Sequence, residues 1–229
     1  MAKRAEPSPR TRPPLNRERV LRAAIDMADA NGIESLSMRS LGRELGVEAM
    51  SLYNHVANKE DLLDGIADIV VGEIALPASG EDWQSAMRRR AISAREMLSR
   101  HPWAGAVIDS RSTPSPARLR YPEAVLGNLR QAGFSVEMAV HAFFTVDAYI
   151  YGFAVQEQNL PSGTPQELAA ISELTLSALP ADQYPSLREI MTDLVLAKGF
   201  DYADEFEFGL DLILDGLERA RAAGSEIQE

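Results

Sequence analysis

The 229-residue chain has no cysteine, only three histidines and only two tryptophans. Without cysteine it can form no disulfide and offers no thiolate nucleophile or ligand, and the scattered His55, His101 and His141 leave no zinc-binding spacing. The expectation is a protein without metal or cofactor. Nor is there a Gly-rich phosphate loop, a GxSxG or an HExxH, which removes the enzyme classes built on them. Acidic pairs such as Asp204-Glu205 read as a solvated helix face rather than as a catalytic pair. Long apolar runs are missing too: none approaches the roughly 20 residues of a membrane span. The opening MAKRAEPSPRTRPP carries charges and prolines where a signal peptide has its apolar stretch. These absences predict a cytoplasmic protein that is not an enzyme and has no membrane partner.

With 45% hydrophobic residues a packed core is within reach. The net charge of −11 is unevenly spread. Residues 1–59 carry ten Lys and Arg against seven acids, a balance of +3, while the remainder carries 13 against 27, or −14. Opposite signs in the two parts predict two jobs, the basic part facing phosphates. Residues 1–14, rich in Pro, Arg and Ser, read as a disordered basic arm.

No strand alternation appears anywhere, so the expected fold class is all-α. Val20, Leu21, Ala24, Ile25 and Ala28 fall at helical spacing over 16–30, and Asn31-Gly32 stops the pattern. Ser37 then caps a helix carrying Leu41 and Leu45, and Gly46 can take the left-handed conformation that ends it. A second short helix, expected over 49–56, follows a three-residue turn. Its few large apolar residues are Leu52 and Val56, and it presents Ser51, Tyr53, Asn54 and His55. This is a helix-turn-helix with a recognition helix of small or polar tips. Asn58 caps the next helix, in which Glu60 and Asp61 sit where the helix dipole favours acids. Further helices are expected over 82–100, 102–109, 116–132, 136–159, 165–178, 186–197 and 202–223. Pro102 suits the first position of its helix, and Thr164-Pro165-Gln166-Glu167 fits a capping box.

Two of these helices bear on assembly. Phe206, Leu210, Ile213 and Leu217 form one stripe on the last, and Val140, Phe144 and Tyr151 belong to the apolar surface of 136–159, which covers more than one face. Two helices from each of two chains would make a four-helix interface; equally, both could be buried in one bundle.

At these residues the chain resembles the tetracycline-repressor family of bacterial transcription regulators. The match is densest over 19–71: Gly32-Ile33, Ser37-x-Arg39, Leu45-Gly46-Val47, Leu52-Tyr53-x-His55 and Lys59-x-x-Leu62-Leu63. Arg100-His101-Pro102-Trp103, Gln131 to Ser135 and Gly152-Phe153-Ala154 extend it to the subgroup whose ligand domain is like that of the tetracycline repressor itself. The resemblance implies a homodimer with a DNA-binding head over 15–60 and a larger ligand-binding and dimerisation domain over 61–229.

It also implies residue roles. Arg39 and the helix from Ala49 would enter the major groove of an inverted-repeat operator. Ala49, Met50, Ser51, Tyr53 and Asn54 would lie near bases or phosphates, with His55 and Lys59 on the backbone. For Tyr53 a ring tucked under the head is the alternative to a phosphate contact. A small-molecule effector would lie between the helices of 82–100, 116–132 and 136–159, with Trp103, Phe143, Phe144, Tyr149, Tyr151 and Phe153 as candidate lining, although an aromatic on a helical stripe is more often core. Gln156 and Glu157 stand where the tetracycline repressor has acidic residues near its magnesium–drug complex. Asp109 to Pro116, DSRSTPSP, lacks the family's His and Thr for metal and drug, so neither magnesium nor tetracycline is expected. The expected effector is a largely apolar small molecule. The competing reading is a helical dimeric scaffold without sequence-specific DNA binding.

Overall fold

The structure is a computed structural model that describes residues 14–78, 80–111, 115–160, 164–180 and 183–226. Apart from Pro14, the expected basic arm lies outside the described residues. Among those described there is no strand, and the helices are α1 (Arg17–Asn31), α2 (Met38–Leu45), α3 (Ala49–Leu52), α4 (Lys59–Val71), α5 (Trp83–Arg100), α6 (Ala104–Asp109), α7 (Pro116–Gln131), α8 (Val136–Gln158), α9 (Pro165–Ala178), α10 (Pro185–Glu189) and α11 (Asp204–Glu226).

Local chemistry sets the first boundaries. Asn16 caps α1 by accepting from the Arg19 amide at 2.8 Å. Ser37 and Ser40 form a reciprocal box at the start of α2, each side chain accepting from the other's backbone N–H, at 2.9 and 3.0 Å. Gly46 ends α2 at φ 67°, a conformation that penalises any side chain. Asn58 accepts from the Asp61 amide at 2.8 Å and opens α4.

The recognition helix is shorter than the expected 49–56. Regular α-helix ends at Leu52, and the chain continues as turns in which His55 and Val56 both donate to the Leu52 carbonyl. Only Leu52 and Val56 anchor this stretch in the core, too few to hold a long helix. Two later expectations also shift. Pro102 lies in a turn and α6 starts at Ala104, because the Ala104 amide bonds back to the His101 carbonyl. The helix expected over 186–197 is α10 running into a π-helical stretch, Ile190–Leu196.

One continuous apolar core runs from Val20 in α1 to Leu217 in α11, with α4 contributing Leu62, Ile66 and Val70 along its length. Helix α4 packs on α1 at the head and on α6 and α7 in the body, so the two parts share one rod. In the body α8 is central, lying against α5, α7 and α11. The expectation of no membrane-length segment needs correcting. Among the described helices Val136–Gln158 is long and apolar enough to cross a bilayer by length and composition. Glu137, His141 and Asp147 interrupt its apolar run without lowering the average enough, and its packing on three helices gives it a core role.

Candidate nucleic-acid interface and effector centre

None of the residues expected at DNA is buried: Arg39, Met50, Tyr53, Asn54 and Lys59 are exposed, and Ala49, Ser51 and His55 are half-buried. Met50 is 75% exposed at the front of α3, an unusual place for a large apolar side chain unless it meets another surface. Thymine methyls in a major groove are such a surface. Tyr53 is exposed, so its ring is not tucked under the head.

The close approach of α2 and α3 fixes how this face is presented. A Cβ on Gly42 would stand 3.0 Å from the Val47 carbonyl oxygen and 3.2 Å from both N and Cα of Ala49. Those are backbone atoms, so a side chain at this position requires the two helices to part by a few tenths of an ångström. On the other side, Arg17 donates to both carboxylate oxygens of Asp61, at 2.6 and 2.9 Å, and to the His55 carbonyl at 3.0 Å. Arg17 thereby holds the Asp61 carboxyl below its ordinary range, with the Ala57 amide adding to the effect.

The acidic residues of α4 do more than complement its dipole. Glu60, Asp64 and Asp68 recur every four residues along one face, and the body answers each of them. Arg111 pairs with Glu60, while Arg118 reaches Asp64 at 2.9 Å and Asp68 at 2.9 Å. Ser115 adds a hydrogen bond to Asp68 at 2.6 Å. The sequence carried this signal as an i, i+4 acidic repeat, but its basic partners lie 50 or so residues on and had no local mark.

A second link joins the end of α1 to the corner between α5 and α6. Asp29 accepts from the Trp103 indole at 2.6 Å and contacts His101 Nδ1 at 2.8 Å. Glu73 accepts from Arg100 at 2.8 Å, with His101 Nε2 at 3.4 Å. The Arg100-His101-Pro102-Trp103 motif is thus a head-to-body knot. Trp103, expected in the effector pocket, is spent here.

The other ligand candidates fall into two groups. Phe153 stacks on Tyr202 and meets Phe206 edge-on. Arg95 lies over both Phe153 and Phe206 and pairs with Glu157, while Gln156 accepts from the Tyr202 hydroxyl at 2.6 Å and Tyr149 donates to the Phe206 carbonyl at 3.0 Å. This group fastens α8 to α5 and α11, and its polar atoms are engaged with one another. Phe144 is 66% exposed and lines nothing in the interior.

The second group surrounds a residue that the sequence hid. Arg90, in the run Arg88-Arg89-Arg90, is fully buried between α5, α7 and α8. Its Nη1 donates to the Tyr121 hydroxyl at 2.6 Å and to Asp147 at 2.9 Å. Phe143 and Tyr121 lie with ring centres 5.7 and 5.5 Å from the guanidinium carbon. Burial holds the Asp147 carboxyl above its ordinary range against the pull of Arg90, and pushes the Tyr151 hydroxyl up to about 12. A cleft of about 180 Å³ reaches Tyr121 from outside, between the end of α4 and the start of α7. Among the described residues no group of three or more His, Cys, Asp or Glu could hold a metal.

The expected dimer stripe is divided by the same packing. Phe206 and Leu210 are fully buried within the chain, Leu217 nearly so and Ile213 half so, because this side of α11 rests on α8. The apolar residues that α11 turns outward are Phe208 and Leu212, 64% and 58% exposed. On α8, Val140, Phe144 and Val155 are exposed, whereas Tyr151 is half-buried beside α6.

Comparison with known proteins accords with this architecture. The family model for bacterial regulatory proteins of the tetR family matches residues 20–66, and that for the tetracycline-repressor-like C-terminal domain matches residues 76–221. The chain is 36% identical to the HTH-type transcriptional repressor DrrR1 of Streptomyces coeruleorubidus over 93% of its length and 80% of the relative's. It is 32% identical to the class D tetracycline repressor protein of Escherichia coli, over 89% of each. Among solved structures, apo ActR from Streptomyces coelicolor superposes with a TM-score of 0.73 at 26% identity, covering 93% of this chain and 100% of that one. ActR in complex with actinorhodin gives 0.72 at 28% identity, covering 91% and 99%. With both of its parts matched by the corresponding family models, the chain belongs to the tetracycline-repressor family, as a DNA-binding transcription regulator and not an enzyme.

Proposed function

We propose that the protein is a cytoplasmic, homodimeric repressor that grips an inverted-repeat operator and lets go when a small molecule enters the body. The observation that carries this reading is the single helix α4, tied to the head through Asp61 and to the body through Glu60, Asp64 and Asp68. The head is taken as residues 15–60 and the ligand and dimerisation body as 61–229, with α4 beginning at the boundary. Two heads read half-sites about one helical turn, ~34–36 Å, apart. A tilt of α4 changes their spacing and misplaces both recognition helices. For that to release DNA the effector must favour the tilted form, and DNA must weaken the effector by the same factor.

Roles follow the chemistry of each exposed group. Arg39 suits two hydrogen bonds to a guanine edge, and Ala49, Met50 and Ser51 suit methyl-bearing or small base edges. Tyr53, Asn54, His55 and Lys59 offer donors to phosphate. Lys59→Ala should weaken operator and unrelated duplex alike and lower the slope of log K against log salt by about 1. Tyr53→Ala should weaken the operator complex without unfolding the dimer. A mobility-shift series over salt checks both; wild-type affinity in either variant removes that residue from the interface. A wild-type affinity that does not fall with salt would instead favour the scaffold reading.

The linkage itself can be tested without an effector. Arg118→Ala leaves Asp64 and Asp68 without their shared cation, a change worth about 1 kcal/mol for partly exposed pairs. Amide hydrogen exchange in α4 should rise roughly fivefold while the α5 and α8 core stays protected. Unchanged exchange in α4 would mean that apolar packing alone holds the rod.

A further inference from the structure

The buried guanidinium of Arg90 uses only one of its nitrogens. Nη1 serves both Tyr121 and Asp147, whereas Nε and Nη2 are buried with no hydrogen-bond partner among the described residues. A side chain with no exposed surface forfeits the water that would satisfy those donors, a cost that is larger for a charged group than for a neutral one. Native structures keep such an arrangement rarely, and then for a reason. Leu or Met at position 90 would fill the same space without orphaned donors. The ammonium of Lys could pair with Asp147 but offers no planar edge. What Arg alone supplies is a second, parallel pair of N–H donors on the side away from Asp147.

Nε–H and Nη2–H of one guanidinium are spaced to meet two oxygens of a planar anion. We propose that the effector is an aromatic carboxylate whose two oxygens take up the free Nε and Nη2 edge of Arg90, admitted where the outer cleft between α4 and α7 reaches Tyr121. This rests on the effector reading above and names the chemical class that its site selects. Three further observations fit it. Aromatic rings already stand beside the guanidinium, with the Tyr121 and Phe143 ring centres 5.5 and 5.7 Å from its carbon. The outer cleft that ends at Tyr121 is bordered by Arg120, an exposed cation placed to draw in an anion. Asp147, whose carboxyl burial already holds above the ordinary range, can accept a proton as the ligand's charge arrives, so the centre keeps one cation and one anion.

The geometry also joins binding to release. Val71 at the end of α4, with Gly72 and Ile74 just after it, lines that cleft together with Ala117 of α7. A ligand passing Tyr121 toward Arg90 must therefore spread α7 from α4, the two elements that Arg118 holds together. Helix α4 then moves at the end remote from the head.

The test uses the full chain and two probes of one shape, 1-hydroxy-2-naphthoate and the neutral 1-hydroxy-2-naphthamide, titrated by calorimetry. The wild type should bind the acid at least about tenfold more tightly than the amide, the preference of a paired charged hydrogen bond. Arg90→Met should bind both equally. It removes the orphaned donors along with the charge, and circular dichroism reports whether it folds. Arg90→Lys, which keeps the pair with Asp147, should lose about tenfold for the acid and little for the amide. Equal affinity of the wild type for the two probes, binding of neither, or an acid preference that survives in Arg90→Lys would overturn the proposal. The effector reading fails separately: if the acid binds with the expected preference but does not release wild-type protein from the duplex flanking its coding region, the Arg90 site stands and its role as the effector site falls. If the amide releases wild-type protein from the duplex flanking its coding region as well as the acid does, release by a small molecule stands and the carboxylate assignment falls.

Discussion

Gly42→Val should lower operator affinity by at least about 100-fold while leaving the helical content and dimerisation of the body unchanged, a loss of ~2.7 kcal/mol or more. Its added Cβ meets the Val47 carbonyl and the Ala49 backbone at 3.0–3.2 Å, and Val brings two further methyls to the same crossing. A flexible neighbour could yield by changing rotamer; here the yielding has to come from the helices themselves. Helix α3 must move off α2, and it is held by little else than Leu52 and Val56. Every residue proposed to touch bases lies on α3 or the turn after it, apart from Arg39, so a shift of a few tenths of an ångström reaches them all. Gly42→Ala should show the same effect at smaller size. Mobility shift measures the affinity, and sedimentation with circular dichroism verifies the body. Wild-type affinity in Gly42→Val would mean that the α2–α3 crossing adapts and does not set the DNA-reading geometry.

The second large effect is expected at the face between protomers. Phe208→Glu with Leu212→Glu should give a folded monomer and reduce operator binding by about 10²–10⁴-fold, the gain normally supplied by linking two half-site contacts. Both side chains are exposed on α11, while Phe206 and Leu210 of the same helix are buried, and the neighbouring α8 exposes Val140, Phe144 and Val155. Burying two copies of each would contribute roughly 6–12 kcal/mol gross per dimer, and four carboxylates in their place would each cost several kcal/mol to desolvate. The neighbouring Leu210 is a different matter. It is fully buried against α8, so Leu210→Glu should unfold the chain rather than part the protomers. Sedimentation equilibrium separates the cases: a monomer with native far-ultraviolet signal is expected for the double variant, and an intact dimer would move the interface elsewhere.

The head was almost wholly legible because its information is local. Ser37, Gly46 and Asn58 each act within four residues of themselves, through a cap or a backbone conformation, and the exposure of Met50, Tyr53 and Asn54 follows once Leu52 and Val56 are assigned to the core. The length of α3 was overestimated, since apolar spacing does not report where a helix frays into turns. In the body the helices were legible and their faces were not. Helix α8 is apolar on more than one side, so periodicity could not say which side meets α5, which meets α11 and which stays open. The same ambiguity placed Phe206 and Leu210 at a partner when they belong to the core. It also placed Trp103 in a pocket, when Asp29, 74 positions earlier, claims its indole.

What the sequence determined by itself is the kind of molecule: an all-helical chain whose capped turns build a DNA-reading head, with basic charge gathered at that end and acid in the remainder. Those features depend on neighbours a few residues apart, and a linear pattern records them. Only the tertiary structure decided which of three adjacent arginines is withdrawn from water, which acids of α4 meet which cations of the body, and which apolar stripe is left for a partner. These are pairings between helices dozens of residues apart, and burial, which turns an ordinary Arg90 into two unanswered donors, is a property of the packed assembly rather than of any segment.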